Sequence, residues 1–325
     1  MTKLILDLDT GIDDTLALLY ALASPEAQVI GITGTFGNVT MEQGVANDLA
    51  LLALFGRPDI PVFAGIDHPS WASSFAVMPE SGRFHGRNGT GNVEIPERSA
   101  TTGCSRGVQT RTAVDFIVDS VHADETDELV IVPTGASTSI AAALAAAPDI
   151  ADRARIVMMG GALTQPGNVT PFAEANIMQD PEASAELFAS GTRITMIGLD
   201  VTTQVKLTRE QAETYRETGT ATGAFLSEML AYYIDVTEEA HPTGVPGCNL
   251  HDPLAVAAAL DPSLIDTFSC DIMVETEGAG RGRTIGDPAR VTCPSGRTQV
   301  ALAVDAERFV ERFMERTLAF VRRCP

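Results

Sequence analysis

Near its amino terminus the chain reads Leu4-Ile5-Leu6-Asp7-Leu8-Asp9-Thr10-Gly11-Ile12-Asp13-Asp14. Residues 4–8 are a short apolar run typical of a buried strand, and a helical pattern follows from Asp14 to Ala23. Val29–Thr35 predicts the next strand and Met41–Phe55 the next helix. A buried strand, a helix and a second buried strand in this order are typical of a β-α-β unit in a parallel sheet.

The same alternation of strands and helices continues along the chain. Further strands are predicted at Pro61–Ala64, Leu129–Pro133, Arg155–Met159, Arg193–Gly198, Cys270–Val274 and Thr298–Val304, with Asp305 capping a last helix. We therefore expect an α/β fold, with an open, mainly parallel sheet flanked by helices in a Rossmann-like arrangement. In such sheets the active site lies at the carboxyl ends of the strands. No repeat or composition change marks a boundary, so residues 1–325 are expected to form one domain, with residues 66–107 as a long active-site loop region.

Composition and charge exclude several classes of function. The 325 residues include 22 Lys and Arg against 43 Asp and Glu, a formal net charge of −21. Such a surface repels polyphosphate chains and anionic membranes, so no nucleic-acid or membrane partner is expected. The five cysteines include no Cys-x-x-Cys pair, which argues against a zinc ribbon or a disulfide framework. Because no leader peptide and no apolar stretch of membrane-spanning length is visible, we expect a cytoplasmic protein.

Four aspartates follow or end the first predicted strand: Asp7, Asp9, Asp13 and Asp14. No Lys or Arg lies among them, so they repel one another unless a cation neutralises them. Oxygen ligands alone favour Ca²⁺ or Mg²⁺ over zinc. Gly11 allows the backbone to turn back, so that carboxylates from the strand end and the helix start can converge. Helix capping could account for Asp13 or Asp14 but not for Asp7 and Asp9 on a buried strand, and the pattern therefore predicts a metal site.

Residues 7–14 resemble the N-terminal signature of the inosine–uridine-preferring nucleoside hydrolase family, which usually has proline where Thr10 stands. Seven further blocks follow in the order of the family: Thr35-Phe36-Gly37-Asn38, Val132-Pro133-Thr134-Gly135, Met158-Met159-Gly160-Gly161, Gly167-Asn168-Val169-Thr170, Ala173-Glu174-Ala175-Asn176-Ile177, Asp180-Pro181-Glu182-Ala183 and His251-Asp252-Pro253. The resemblance covers essentially the whole chain and implies the Rossmann-like nucleoside hydrolase fold.

This resemblance implies a ribonucleoside N-ribohydrolase, which cleaves the N-glycosidic bond to give free nucleobase and ribose and serves nucleoside catabolism and salvage. It implies one Ca²⁺ per subunit, held by Asp9, Asp14, Asp252 and the backbone carbonyl of Thr134. Asp9 would also deprotonate a metal-bound water, which attacks through an oxocarbenium-like transition state. A small ribonucleoside is the expected substrate, and a homodimer or homotetramer the expected assembly.

The resemblance also implies which side chains surround the substrate. Those expected to bind it are Asp13, Asn38, His85, Asn168, Glu174 and Asn176. Asp7 is expected to orient a metal ligand or Asn38 without touching the substrate. His251, adjacent to Asp252, is the candidate acid that protonates the leaving base.

Departures from the family concentrate on the nucleobase end of the site, and two alternative functions stay open. Ala175 and Thr237 stand where several members have aromatic residues, so the preference for purine or pyrimidine stays open. Residues 7–11 also have a partial resemblance to the nucleophile motif of haloacid-dehalogenase-like phosphatases, although Lys206 is a poor match for the lysine those enzymes use. A non-catalytic, calcium-dependent nucleoside- or sugar-binding protein is the alternative from another class.

Overall fold

The computed structural model describes residues 1–97, 107–242 and 245–324. The strands of this part of the chain are β1 (Thr2–Leu8), β2 (Ala27–Gly34), β3 (Val62–Ala64), β4 (Leu129–Pro133), β5 (Arg155–Met159), β6 (Arg193–Ile197), β7 (Lys206–Leu207), β8 (Cys248–Asn249), β9 (Ile265–Ser269), β10 (Ile272–Val274), β11 (Thr284–Gly286) and β12 (Thr298–Val304). Its α-helices are α1 (Ile12–Ala23), α2 (Met41–Leu54), α3 (Pro79–His85), α4 (Ala113–Ala123), α5 (Thr138–Ala146), α6 (Ala175–Gln179), α7 (Pro181–Ala189), α8 (Leu199–Thr202), α9 (Arg209–Arg216), α10 (Ala221–Ala240), α11 (His251–Leu260) and α12 (Ala306–Val321).

Eight strands form the main sheet, in the order β3-β2-β1-β4-β5-β6-β12-β9. Every neighbouring pair is parallel except β12 and β9, so the expected open and mainly parallel sheet is confirmed. In the register of β1, Leu8 lies opposite Gly34 of β2 and Asp7 opposite Pro133 of β4. The segments that follow these three strands therefore meet at one edge of the sheet.

Alternate residues of β1 enter two different hydrophobic cores. Leu4, Leu6 and Leu8 belong to the core that includes α1, α10, α11 and α12, whereas Ile5 belongs to the core with α4, α5 and α7. Each of these four side chains is fully buried. A parallel strand covered by helices on both faces needs apolar residues on both, and this explains the continuous apolar run at the start of the chain.

The last third of the chain differs from the sequence prediction in one respect. The strand predicted at Cys270–Val274 is β10, which covers Ile272–Val274 and pairs with β11 in a separate two-stranded sheet. The outer position of the main sheet belongs to β9, where Asp266, Thr267 and Phe268 are exposed. An edge strand with an exposed face lacks the apolar run on which the prediction depended.

The region of residues 66–107 contains one helix, α3, in its described part. Residues 98–106, including Cys104, lie outside the described residues, as do residues 243–244. Three of the other cysteines, Cys248, Cys270 and Cys293, are free thiols. No helix in the described ranges is both long enough and apolar enough to cross a lipid bilayer.

Candidate functional site

Buried carboxylates from two helices and one strand end converge at the edge of the sheet. Asp13 and Asp14 lie in the first turn of α1, and Asp252 lies in the first turn of α11. Because α11 packs against α1, the three side chains come together, and each offers an oxygen within 4.8 Å of the other two. Asp252 does not cap its helix, since Leu250 holds the N-cap position. Its carboxylate is therefore available for another role.

Asn38 connects Asp9 to this cluster. Its backbone N–H donates to Asp9 Oδ2 at 2.7 Å, and its side-chain amide donates to Asp9 Oδ1 at 3.0 Å and to Asp14 Oδ2 at 3.2 Å. A side chain at Gly37 would overlap the Asp9 carboxylate, so only glycine allows the β2–α2 connection to approach so closely. Asp9 is 1% exposed and is held in one orientation by these contacts.

Thr134, which follows β4, contacts the cluster from the neighbouring strand. Its hydroxyl donates to Asp14 Oδ1 at 2.6 Å, and its backbone N–H donates to the carbonyl of Asp7 at 2.9 Å. Its own carbonyl accepts a hydrogen bond from Asn176 Nδ2 at 2.8 Å. Asp7 is fully buried beside it, where its carboxylate accepts from the hydroxyl of Thr33 at 2.5 Å.

Burial and mutual repulsion control the charge of these carboxylates. Burial raises the pKa of Asp9 and of Asp252 well above the usual range, and the nearby charges of Asp14 and Asp13 raise them further. Burial also raises the pKa of Asp13 to about 6 and that of Asp7 to about 7. Asp13 Oδ1 is buried without a hydrogen-bond partner among the described residues. A hard divalent cation would offset the repulsion and supply the missing contact, so the set of donors fits such an ion.

A cavity of about 410 Å³ opens beside the carboxylate cluster. Nine of the residues that the sequence predicts for the site line it: Asp13, Asn38, His85, Thr134, Asn168, Glu174, Asn176, His251 and Asp252. The remaining three, Asp7, Asp9 and Asp14, are buried and do not line it. A volume of this size is in the range for a small-molecule ligand.

The segment before α6 contributes polar groups from a third direction. Glu174 caps α6, and its carboxylate accepts from the N–H groups of Asn176 and Gly161, each at 2.9 Å. Burial raises the pKa of Glu174. Asn168 is exposed, and its side-chain oxygen accepts from the N–H of Ala175 at 3.0 Å. These contacts fix the shape of the loop while its polar side chains face the cavity.

Two histidines line the cavity, one from α3 and one from α11. His85 Nδ1 accepts from the backbone N–H of Ile12 at 3.1 Å and lies 3.7 Å from Asp13 Oδ1. His251 Nδ1 lies 2.8 Å from Thr202 Oγ1. Burial lowers the pKa of His85 to about 4 and that of His251 to about 3. His251 can therefore donate a proton only when the negative charge that develops on a leaving base raises this pKa.

Several residues that line the cavity are not among those predicted from the sequence. They include Glu80, Ser81 and Phe84 of α3, Met159 at the end of β5, and Gln165, Thr203 and Asn249. Tyr233 of α10 also lines the cavity, whereas the hydroxyl of the adjacent Tyr232 donates to the carbonyl of Arg83 at 2.7 Å. The signal for α3 in the sequence is Pro79 at its first position, because its seven residues are fewer than the about 11 over which a helical period is recognised.

The chain is similar to known nucleoside hydrolases over nearly its whole length. A family model described as inosine-uridine preferring nucleoside hydrolase matches residues 4–311. The chain is 35% identical to the inosine-uridine preferring nucleoside hydrolase of Leishmania major over 309 residues, or 94% of each chain. It is 36% identical to the pyrimidine-specific ribonucleoside hydrolase RihA of Klebsiella pneumoniae over 320 residues, or 98% of each chain.

Solved structures of nucleoside hydrolases are also similar to this chain. The purine-preferring ribonucleoside hydrolase from Gardnerella vaginalis superposes with a TM-score of 0.93 at 51% identity, covering 98% of this chain and 99% of that one. The plant nucleoside hydrolase PpNRh1 superposes with a TM-score of 0.88 at 33% identity, over 98% and 99% of the two chains. All these similarities extend over nearly the full length of both chains compared.

Proposed function

The chain belongs to the inosine-uridine preferring nucleoside hydrolase family and is a hydrolase acting on N-glycosyl compounds, and from this premise we propose a Ca²⁺-dependent ribonucleoside hydrolase that releases free nucleobase and ribose. The observation that carries the proposal is the buried carboxylate cluster beside a cavity of about 410 Å³. The comparisons do not favour the phosphatase or the non-catalytic binding protein.

Asp9, Asp14, Asp252 and the carbonyl of Thr134 would hold one Ca²⁺ per subunit. The proximity of Asp14 to Asp252, and the hydrogen bonds that link Asp9 and Thr134 to Asp14, support this set. Several carboxylates on separate segments suit Ca²⁺ better than Mg²⁺, because the larger ion tolerates flexible, irregular coordination. When bound, the ion lowers the pKa of a water molecule and orients it.

Asp9 is the proposed base that accepts a proton from the attacking water. Two hydrogen bonds from Asn38 fix its carboxylate, and a base held in one orientation loses little entropy in the transition state. The water then attacks the anomeric carbon opposite the departing base, as in inverting glycosidases. The surrounding negative charge stabilises the positive charge that develops on the ribosyl group.

Polar side chains around the cavity are proposed to bind the hydroxyl groups of ribose. Asp13 belongs to the carboxylate cluster and Asn38 contacts it. Asn168 and Glu174 precede α6, and Asn176 lies in its first turn. Each of them offers at least one oxygen, and a sugar hydroxyl can donate to such an acceptor. Asp7 would orient its neighbours from its buried position, because its carboxylate meets Thr33 and its carbonyl meets Thr134.

His251 is proposed to act on the leaving base. Replacing His251 with alanine is expected to lower kcat for natural nucleosides by about 10²-fold or more, because general acids typically contribute that much. For p-nitrophenyl riboside, whose leaving group needs no proton, we expect less than about a tenfold loss. Steady-state kinetics on both substrates measures the difference.

The matched control for that experiment is His122→Ala, which removes an exposed histidine paired with Asp149 at the surface. It should leave both substrates unaffected. Equal losses of His251→Ala on good and poor leaving groups would remove His251 from the acid role.

We also propose that the whole chain acts as one domain. The main sheet takes strands from Thr2 to Val304, and the family match covers residues 4–311. The region of residues 66–107 would serve as an active-site loop, since Glu80, Phe84 and His85 line the cavity. The homodimer or homotetramer and the cytoplasmic location stay predictions.

Product analysis tests the proposed reaction. Because relatives are named for opposite base preferences, the panel should contain inosine, guanosine, uridine and cytidine, together with p-nitrophenyl phosphate. We expect chromatography to detect free base from at least one nucleoside and no phosphate release. Phosphate release that is lost in Asp7→Asn would favour the phosphatase instead, and nucleoside binding without free base would favour the binding protein.

A further inference from the structure

Thr10 links the carboxylate loop to helix α2. It lies between Asp9 and Gly11 and is fully buried. Its hydroxyl donates to Asp48 Oδ1 at 2.6 Å, and its carbonyl accepts from Asn47 Nδ2 at 3.3 Å. Two consecutive residues of α2 thus hold one residue of the loop, by its side chain and by its backbone.

Asn47 extends this connection to the loop that follows His85, the last residue of α3. The same side-chain amide donates to the carbonyl of Asn88 at 2.8 Å. Gly89 packs against the carbonyl of Thr10 so closely that a Cβ would overlap it, and its φ of +83° also requires glycine. The position of Thr10 therefore affects two segments of the site.

Asp48 is an unusual residue to find inside α2. It is fully buried, and its Oδ2 has no hydrogen-bond partner in the part of the chain that the structure describes. Burial and the charges of Asp14 and Asp7 raise its pKa well above the usual range. A buried carboxyl with one of its oxygens unpaired destabilises a fold, so an apolar residue would serve the helix better. The hydrogen bond with Thr10 is the interaction that an apolar residue could not provide.

We propose that Thr10 and Asp48 are a pair of positioning residues that fix the loop of residues 9–14 in the geometry that binds the divalent cation. The buried hydrogen bond from Thr10 to Asp48 of α2 restricts the movement of this loop. The role of the pair in cation binding rests on the proposed function. The constraint that the pair places on the loop of residues 9–14 is independent of it.

Calcium binding by five full-length variants tests the pair. Thr10→Val keeps the shape of the side chain and removes the hydroxyl, and Asp48→Ala removes the acceptor. Each should weaken the affinity for Ca²⁺ alone, measured by titration calorimetry, by about 10- to 100-fold, as is usual when a residue that orients metal ligands is lost. Thr10→Ser and Asp48→Asn keep a donor or an acceptor in place and should stay within about threefold of the native protein.

The fifth variant combines Thr10→Val with Asp48→Ala. Because both single changes remove the same hydrogen bond, the double variant should bind Ca²⁺ no more weakly than the weaker single variant. Losses that add would overturn the proposal. So would native-like binding by Thr10→Val.

Amide hydrogen exchange of the metal-free protein gives a second measurement that does not depend on the ion or on turnover. The N–H of Gly11 is bonded to Asp14 Oδ2 and that of Ile12 to His85 Nδ1, so both report on the loop. Thr10→Val should speed their exchange about tenfold or more, as expected when a local constraint is lost, and Thr10→Ser should not. Unchanged exchange in Thr10→Val would contradict the pair even if the native protein hydrolysed no nucleoside, and faster exchange would support it in that case.

Discussion

Replacing Asp9 with asparagine is expected to lower the turnover of a ribonucleoside by at least about 10³-fold, because one substitution removes both the proposed general base and a proposed metal ligand. Asparagine keeps the size of the side chain, and its oxygen can still accept one of the two hydrogen bonds that Asn38 donates to Asp9. The effect should therefore appear in kcat. Steady-state kinetics with the best nucleoside of the panel measures it.

The control for this prediction is Asp266→Asn, which makes the same change on the exposed face of β9. This control should leave turnover and melting temperature unchanged. An Asp9→Asn protein that keeps more than about a tenth of the native kcat would exclude Asp9 as the base, since general bases contribute about 10²-fold or more.

The second large effect is expected at Asp252, where stability and function should change in opposite directions. At pH 7 the metal-free fold must either keep the Asp252 charge near Asp13 and Asp14 or protonate it, and both states cost free energy. Asp252→Asn removes this cost. The metal-free variant should melt about 2 °C or more above the metal-free native protein, the shift that about 1 kcal/mol produces in a domain of this size.

The same variant should lose the stabilisation that the cation gives to the native protein. An ion present at 100 times its Kd stabilises a fold by about 2.7 kcal/mol, which chelation removes. Thermal melts of the native protein and of Asp252→Asn, each with chelator and with excess Ca²⁺, therefore measure both effects. If Asp252→Asn melted lower than the native protein in chelator and still gained stability from Ca²⁺, Asp252 would not be a ligand of the ion.

The sequence was most informative where chemistry and chain order coincide. Parallel strands covered on both faces are apolar throughout, so β1, β4 and β5 were visible as runs. The aspartates of residues 7–14 end or directly follow β1, and their mutual repulsion is by itself enough to predict a bound cation. The approach of Asp252 depends on the packing of α11 against α1, and the family resemblance was the only basis on which it could be placed there.

The elements and contacts that the sequence does not predict depend on tertiary packing. Strand β9 has an exposed face with Asp266 and Thr267, so it carries no apolar signal. Helix α3 is shorter than the about 11 residues over which a helical period is recognised, yet its Glu80 and Phe84 line the cavity. The hydrogen bond between Thr10 and Asp48 joins residues that no local pattern connects, because it depends on the packing of α2 beside the carboxylate loop.

Release of free ribose from nucleosides, measured with and without a chelator and after the addition of Ca²⁺, tests the central claim most directly. We predict ribose from at least one nucleoside of the panel, loss of this release when the protein is stripped of metal, and its return with Ca²⁺. Turnover that is unaffected by thorough chelation would contradict the metal assignment. Failure to release ribose from any nucleoside in the presence of Ca²⁺ would contradict the proposed reaction itself.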